Sequence, residues 1–244
     1  MFNKETRKLY PDLIPEMEVI NELIKEIGKG VTSSIDPINQ DGTVMPKIIW
    51  KLRTYIEVSR QRVLDFTLSI GELWNSRNVG GAFVLLRCIY ENVVYLYHVY
   101  KQLERYIKKN DFHSCDEMIM KSLFGAKMKE KGLPDIGNVL TMIDKLDKLI
   151  TGFRDIYDNL SEFTHPNYFA MAGLYCEFVN EPYIHSHIDG ALGLNKKNLS
   201  IIINSLIPSL KGFNMFLNNI EELYEPLNKL SEDDFKSNNK YTKL

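Results

Sequence analysis

The segment AFVLLRCIYENVVYLYHV, residues 82–99, decides the fold. Projected at about 100° per residue, Leu85, Leu86, Ile89, Tyr90, Val93, Tyr95, Leu96, Val99 and Tyr100 cover most directions around a helix axis. A helix apolar on nearly every side needs neighbours on nearly every side. The spacing therefore predicts a helix over about Ala82 to Lys108 at the centre of a bundle. One narrow strip interrupts the apolar surface: Arg87, Glu91 and His98 fall within roughly 40° of one another. On an exposed helix an Arg–Glu pair at i,i+4 is ordinary and contributes about 0.3 to 0.5 kcal/mol. On a helix this apolar it is either a solvated seam or an internal polar site, where charges must be paired and hydrogen-bonded.

The rest of the chain supplies partners for such a helix. Leu13, Met17, Ile20, Leu23, Ile24 and Ile27 recur at helical spacing over about Asp12 to Ile27, and Gly28 and Gly30 stop the pattern. A loop follows over 31–45. Further periodic runs predict helices from Pro46 to about Asn75, Phe112 to Lys129, Ile136 to Leu149, Phe153 to Thr164, and Lys197 to Tyr224 with a bend at Pro208. No series of period-two strands and no βαβ alternation occurs. The expected fold is all-α: a single helical domain of about seven helices over 1–230, comprising an N-terminal helix in 1–30, the loop and a main bundle over 46–230. The polar tail 231–244 is expected to be disordered. The aromatic-rich stretch 167–195, with glycines and no helical period, is expected to be irregular, either a packed cover or a short hairpin.

Of 244 residues, 44% are hydrophobic and 25% charged, enough for a sizeable core. Thirty Lys and Arg against 32 Asp and Glu give a net charge of -2, so any nucleic-acid binding must come from a local patch. Cys88, Cys115 and Cys176 are odd in number and lack C-x-x-C spacing, which fits a reducing cytoplasm. A charged N-terminus lacks the apolar run of a secretory signal. The apolar runs 82–99 and 201–210 are broken by polar residues and Pro208, so the chain reads as soluble, with no membrane partner. Gly80-Gly81 stands before a helix without the rest of a phosphate-loop pattern, and close helix packing is the better reading. His185, His187 and Asp189, with His165, imitate a metal site without a fourth ligand at recognisable spacing, so neither a metal nor another cofactor is expected.

A second polar stripe lies on the helix before Pro166, where Arg154, Asp158, Ser161 and His165 share one face opposite Phe153, Ile156, Leu160 and Phe163. A histidine at a helix C-terminus is favoured in its protonated form. The segments Leu86-Arg87-Cys88-Ile89-Tyr90-Glu91-Asn92 and Tyr157-Asp158-Asn159-Leu160-Ser161-Glu162-Phe163-Thr164-His165-Pro166 together resemble the R-x-x-x-E and Y-x-x-L-S-x-x-x-H helices of an uncharacterised family of bacterial helical proteins. That family is distantly similar to HEPN domains, all-α bundles that are often dimeric and often metal-independent ribonucleases. The resemblance spans Trp50 to Leu217 in layout and rests on fewer than ten residues.

It implies an RNA-acting protein of a toxin or defence system, a homodimer, and a site made by Arg87, Glu91 and His165 supported by His98, Ser161, Asp158 and Arg154. The chain departs from the HEPN ribonuclease pattern, which places an Arg shortly before the His on one helix. Those positions here hold Leu160, Asn159 and Asp158, and Arg154 lies about 16 Å along the helix from His165. Arg87 from the neighbouring helix would then supply the positive charge. The alternative is a non-catalytic, homodimeric interaction or scaffold protein in which Arg87 and Glu91 form a structural pair.

Overall fold

A computed structural model describes residues 1–38, 42–125, 137–178, 184–186 and 191–239. Its architecture follows from the burial demand of one helix. α4 (Val79–Lys108) buries Ala82, Phe83, Leu86, Ile89, Tyr90, Val93, Val94, Leu96, Val99 and Leu103. It packs against α3 (Lys47–Asn75), α5 (Phe112–Phe124), α6 (Val139–Asp147), α7 (Phe153–Glu162), α8 (Tyr168–Tyr175), α9 (Lys196–Glu221) and α10 (Tyr224–Asn239). α1 (Lys4–Leu9) and α2 (Ile14–Gly28) complete the helices. The fold is all-α, and the buried apolar side chains form one continuous cluster that draws on α2 to α10.

Individual contacts show how the centre is fixed. Phe83 stacks on Phe163 at 4.1 Å between ring centroids, joining α4 to the end of α7. Tyr90 tilts against Phe153 and donates its hydroxyl to the Ser205 carbonyl of α9 at 3.1 Å, so its buried polar atom is satisfied. Eighteen-residue windows within Val79–Lys108 and Lys196–Ser237 are apolar enough to pass for membrane spans, yet half of each is buried within the bundle.

The reversal between α3 and α4 is tight. The Arg77 and Asn78 amides donate to the Trp74 and Leu73 carbonyls at 3.0 and 2.8 Å, and the Asn78 side chain accepts from the Gly81 amide at 2.9 Å. A Cβ on Gly81 would lie 2.9 Å from that same side-chain oxygen, and one on Gly80 would lie 3.1 Å from the Tyr175 hydroxyl. Both glycines thus serve close packing, and the Gly81 amide is already used by the cap.

The all-helical expectation holds, with ten helices among the described residues where about seven are expected, and two finer expectations differ. α1 was hidden by its brevity, and α8 by carrying only one buried residue, Leu174, so that no stripe marked it. The stretch 167–195 accordingly begins as helix, capped by Asn167, and only then gives a short antiparallel pair, Cys176–Phe178 with Ile184–Ser186. The tail from Ser231 is helical as far as Asn239, because Leu223, Leu227 and Leu230 carry α10 along the core at helical spacing. Lys236 and Asn228 reach Glu232 on its polar side.

Arg77 adopts φ 68°, a left-handed conformation that strains any residue with a Cβ. Arg77→Gly should raise stability by about 0.5 to 1 kcal/mol, read as a higher denaturation midpoint with unchanged m-value.

Candidate functional site at the junction of α4 and α7

An arginine on the central helix needs acceptors, and α7 supplies them. Tyr157, 2% exposed, places its hydroxyl where Arg87 Nε and Nη2 both donate to it, at 3.2 and 2.9 Å. The same hydroxyl donates to Glu91 Oε1 at 2.9 Å, and Arg87 Nη2 lies 3.6 Å from that oxygen. The guanidinium sits over the Tyr157 ring, 5.1 Å from its centroid, and Arg87 Nη1 donates to Thr164 Oγ1 at 3.1 Å. Thr164 in turn donates to the Ser161 carbonyl, and Ser161 Oγ to the Tyr157 carbonyl, both at 2.9 Å. The Arg87 and Glu91 side chains keep 28% and 32% exposure, so the cluster has a solvent-facing edge.

The electrostatics follow the bonding. Burial alone would weaken the charge on Arg87, but the Tyr157 hydroxyl and Glu91 outweigh it and hold its pKa above the ordinary value. Burial raises the Tyr157 hydroxyl, against the pull of the Arg87 bond. At neutral pH the cluster is thus a guanidinium and a carboxylate joined through a neutral phenol, an arrangement that compensates both charges.

The other expected residues divide. His165 lies beyond the end of α7, which stops at Glu162, so it does not share the helical stripe projected for it. Its amide donates to the Ser161 carbonyl at 3.1 Å and its side chain is exposed, one residue from Thr164 of the cluster. Arg154 and Asp158 face α6 instead: Arg154 donates to Asp158 at 2.8 Å and to Asp144 at 2.6 Å, and its amide donates to Asp147. His98, two helical turns beyond Glu91, stands near Lys145 of α6, and burial followed by that charge lowers its pKa. His187 and Asp189 lie outside the described residues, and among the described residues no group of three His, Cys, Asp or Glu is arranged to hold a metal.

Tyr157 and Thr164, which complete the cluster, were absent from the expected site. Tyr157 lies on the apolar side of its helix and reads as core. The signal for it was a hydroxyl-bearing residue in the apolar face of a helix destined to meet an Arg–Glu strip. A second buried charge network was not foreseen either. Glu57 and Arg60 of α3 pair at 3.2 Å, Arg60 reaches Glu221 of α9 at 3.1 Å, and Glu57 accepts the Thr32 amide at 2.8 Å. A Cβ on Gly30 would fall 2.3 Å from Arg60 Nη1, so a side chain there would displace the guanidinium. This network ties the chain after α2 to α3 and α9.

No family model, no curated protein and no solved structure matches the chain.

Tyr157→Phe keeps the ring and removes the shared hydroxyl, leaving Arg87 Nε without that acceptor and Glu91 without that donor. It should cost about 1 to 3 kcal/mol in chemical denaturation, and an unchanged midpoint would show that the hydroxyl does not join the two helices. For His98, the folded-state pKa lies below the unfolded value, so the unfolded chain binds more protons and stability falls as pH drops below about 6.5. Thermal midpoints between pH 7.5 and 5 should therefore decline less in His98→Gln than in the parent.

Proposed function

We propose that this chain acts on RNA at the junction of α4 and α7, as a metal-independent ribonuclease of HEPN-like type. The observation that supports this reading is the meeting of the two resembling segments: Arg87 and Glu91 of one bond directly to Tyr157 and Thr164 of the other, with His165 exposed beside them. In a phosphodiester cleavage, an attacking 2′-hydroxyl gives up a proton and the leaving 5′-oxygen takes one. His165 is the exposed imidazole beside the cluster, a side-chain type that serves as general acid or base. Arg87 would face the charge that develops on the pentacoordinate phosphorus, and Glu91, through Tyr157, keeps that guanidinium oriented. The three cysteines are free thiols, in keeping with a reducing cytoplasm.

One observation favours a second reading. Arg87 already spends donors on Tyr157 and Thr164 and lies against Glu91, so the cluster has the bonding of a clasp between helices. In that reading the protein is a non-catalytic interaction partner, homodimeric by the same resemblance, and Arg87 contributes stability alone.

Cleavage of a mixed RNA substrate in EDTA separates the two. The ribonuclease reading expects cleavage by the parent protein and a loss of at least about 100-fold in a folded His165→Ala variant, the usual weight of a general acid or base. Absence of cleavage by the parent, with Arg87→Ala lowering thermal stability, would replace it with the clasp.

A further inference from the structure

We propose that the groove running from Glu91 along α4 binds phosphate esters. This rests on the RNA reading of the adjoining site, and it gives that site the local positive patch that a chain of net charge -2 requires.

The groove encloses about 740 Å³ between α3, α4, α5 and α6, within the range of ligand sites. Among its described lining residues, Arg62 of α3, Lys121 of α5 and Lys145 of α6 stand against a single carboxylate, Glu91, in a protein with more acids than bases. An adjoining cleft of about 340 Å³ shares His98, Gln102, Met142 and Lys145 with it and adds Lys101 and Lys148 without any carboxylate. Lys101 and Lys121 bond Glu104 and Glu117 on their own helices, but among the described residues no ion pair engages Arg62, Lys145 or Lys148. Arg62 instead lies over the Phe66 ring, 4.7 Å from its centroid.

The backbone adds to this field. α6 begins on the groove, with Asn138 capping the Leu140 amide at 2.9 Å and Thr141 and Met142 on the wall, so its positive pole opens there. α5 ends on the same groove, and Lys121 in its last turn offsets the negative pole. The lowered pKa of His98, caused by burial and then by Lys145, is in keeping with an excess of positive charge along the wall. Tyr106 offers a ring on which a base can stack. Cations drawn from three helices, continuing past His98 to Lys148, suit a ligand with several phosphates. Because Glu91 belongs both to the groove and to the Arg87–Tyr157 cluster, a strand in the groove would meet the candidate site at that residue.

Phosphate esters of this kind come as free nucleotides or as a single strand, and fluorescence anisotropy distinguishes them. The probes are labelled ATP and a labelled single-stranded RNA of about 12 nucleotides, against the parent and Arg62→Ala/Lys145→Ala, two exposed positions whose folding circular dichroism checks. A Lys145→Ala/Lys148→Ala variant serves if that one is unfolded. The expected result is strand binding by the parent, weakened at least tenfold in the variant, with the salt slope of log K reduced by about 1.4 for two lost phosphate contacts at about 0.7 each. Equal strand binding by parent and variant would overturn the groove and leave the RNA reading standing. Binding of ATP alone, lost in the variant, would keep the groove and remove the RNA reading. Binding of neither probe by the parent would overturn the groove.

Discussion

The structure depends on burying α4 without leaving its charges unsatisfied. Its apolar residues demand cover from seven other helices, and that demand brings α7 against the face that carries Arg87 and Glu91. A guanidinium and a carboxylate in such a place are costly unless hydrogen-bonded, and the Tyr157 hydroxyl accepts from one while donating to the other. Phe83 on Phe163 closes the apolar side of the same contact. The α4–α7 packing and the polar cluster are thus one feature: the helices meet where the charges can be met.

The central helix was legible in the sequence because its apolar residues cover most directions around the axis, and a long periodic pattern with one interpretation is the strongest signal a sequence carries. The Arg87–Glu91 strip was legible for the complementary reason, as polar residues where burial was required. Tyr157 escaped because an aromatic residue on an apolar stripe looks like core, and core it is; only its hydroxyl belongs to the site. His165 was assigned to a helical face because the pattern from Phe153 gives no earlier stop, whereas the helix ends at Glu162. α10 escaped because composition outweighed spacing: Ser231 to Lys236 is polar, yet Leu227 and Leu230 just before it are anchored in the core. The Glu57–Arg60–Glu221 network joins residues more than 160 positions apart, a proximity that only the tertiary fold creates.

Functionally, the same cluster supports two uses that differ in what His165 does. A clasp needs Arg87, Tyr157, Glu91 and Thr164 and is indifferent to the exposed histidine. Chemistry on a phosphodiester needs the histidine and a surface that brings the polyanion to it. The basic groove that begins at Glu91 joins these requirements, because it places Arg62 and Lys145, which make no ion pair among the described residues, on the side of α4 that continues from the cluster.

A hydroxyl shared between two half-buried charges joins α4 to α7, and a double-mutant cycle of Arg87→Leu and Tyr157→Phe in urea tests this most directly. A charge-assisted pair in this setting predicts a coupling of about 1.5 to 3 kcal/mol between the two substitutions. Effects that add to within about 0.5 kcal/mol would contradict the claim that Tyr157 satisfies Arg87 and joins α4 to α7.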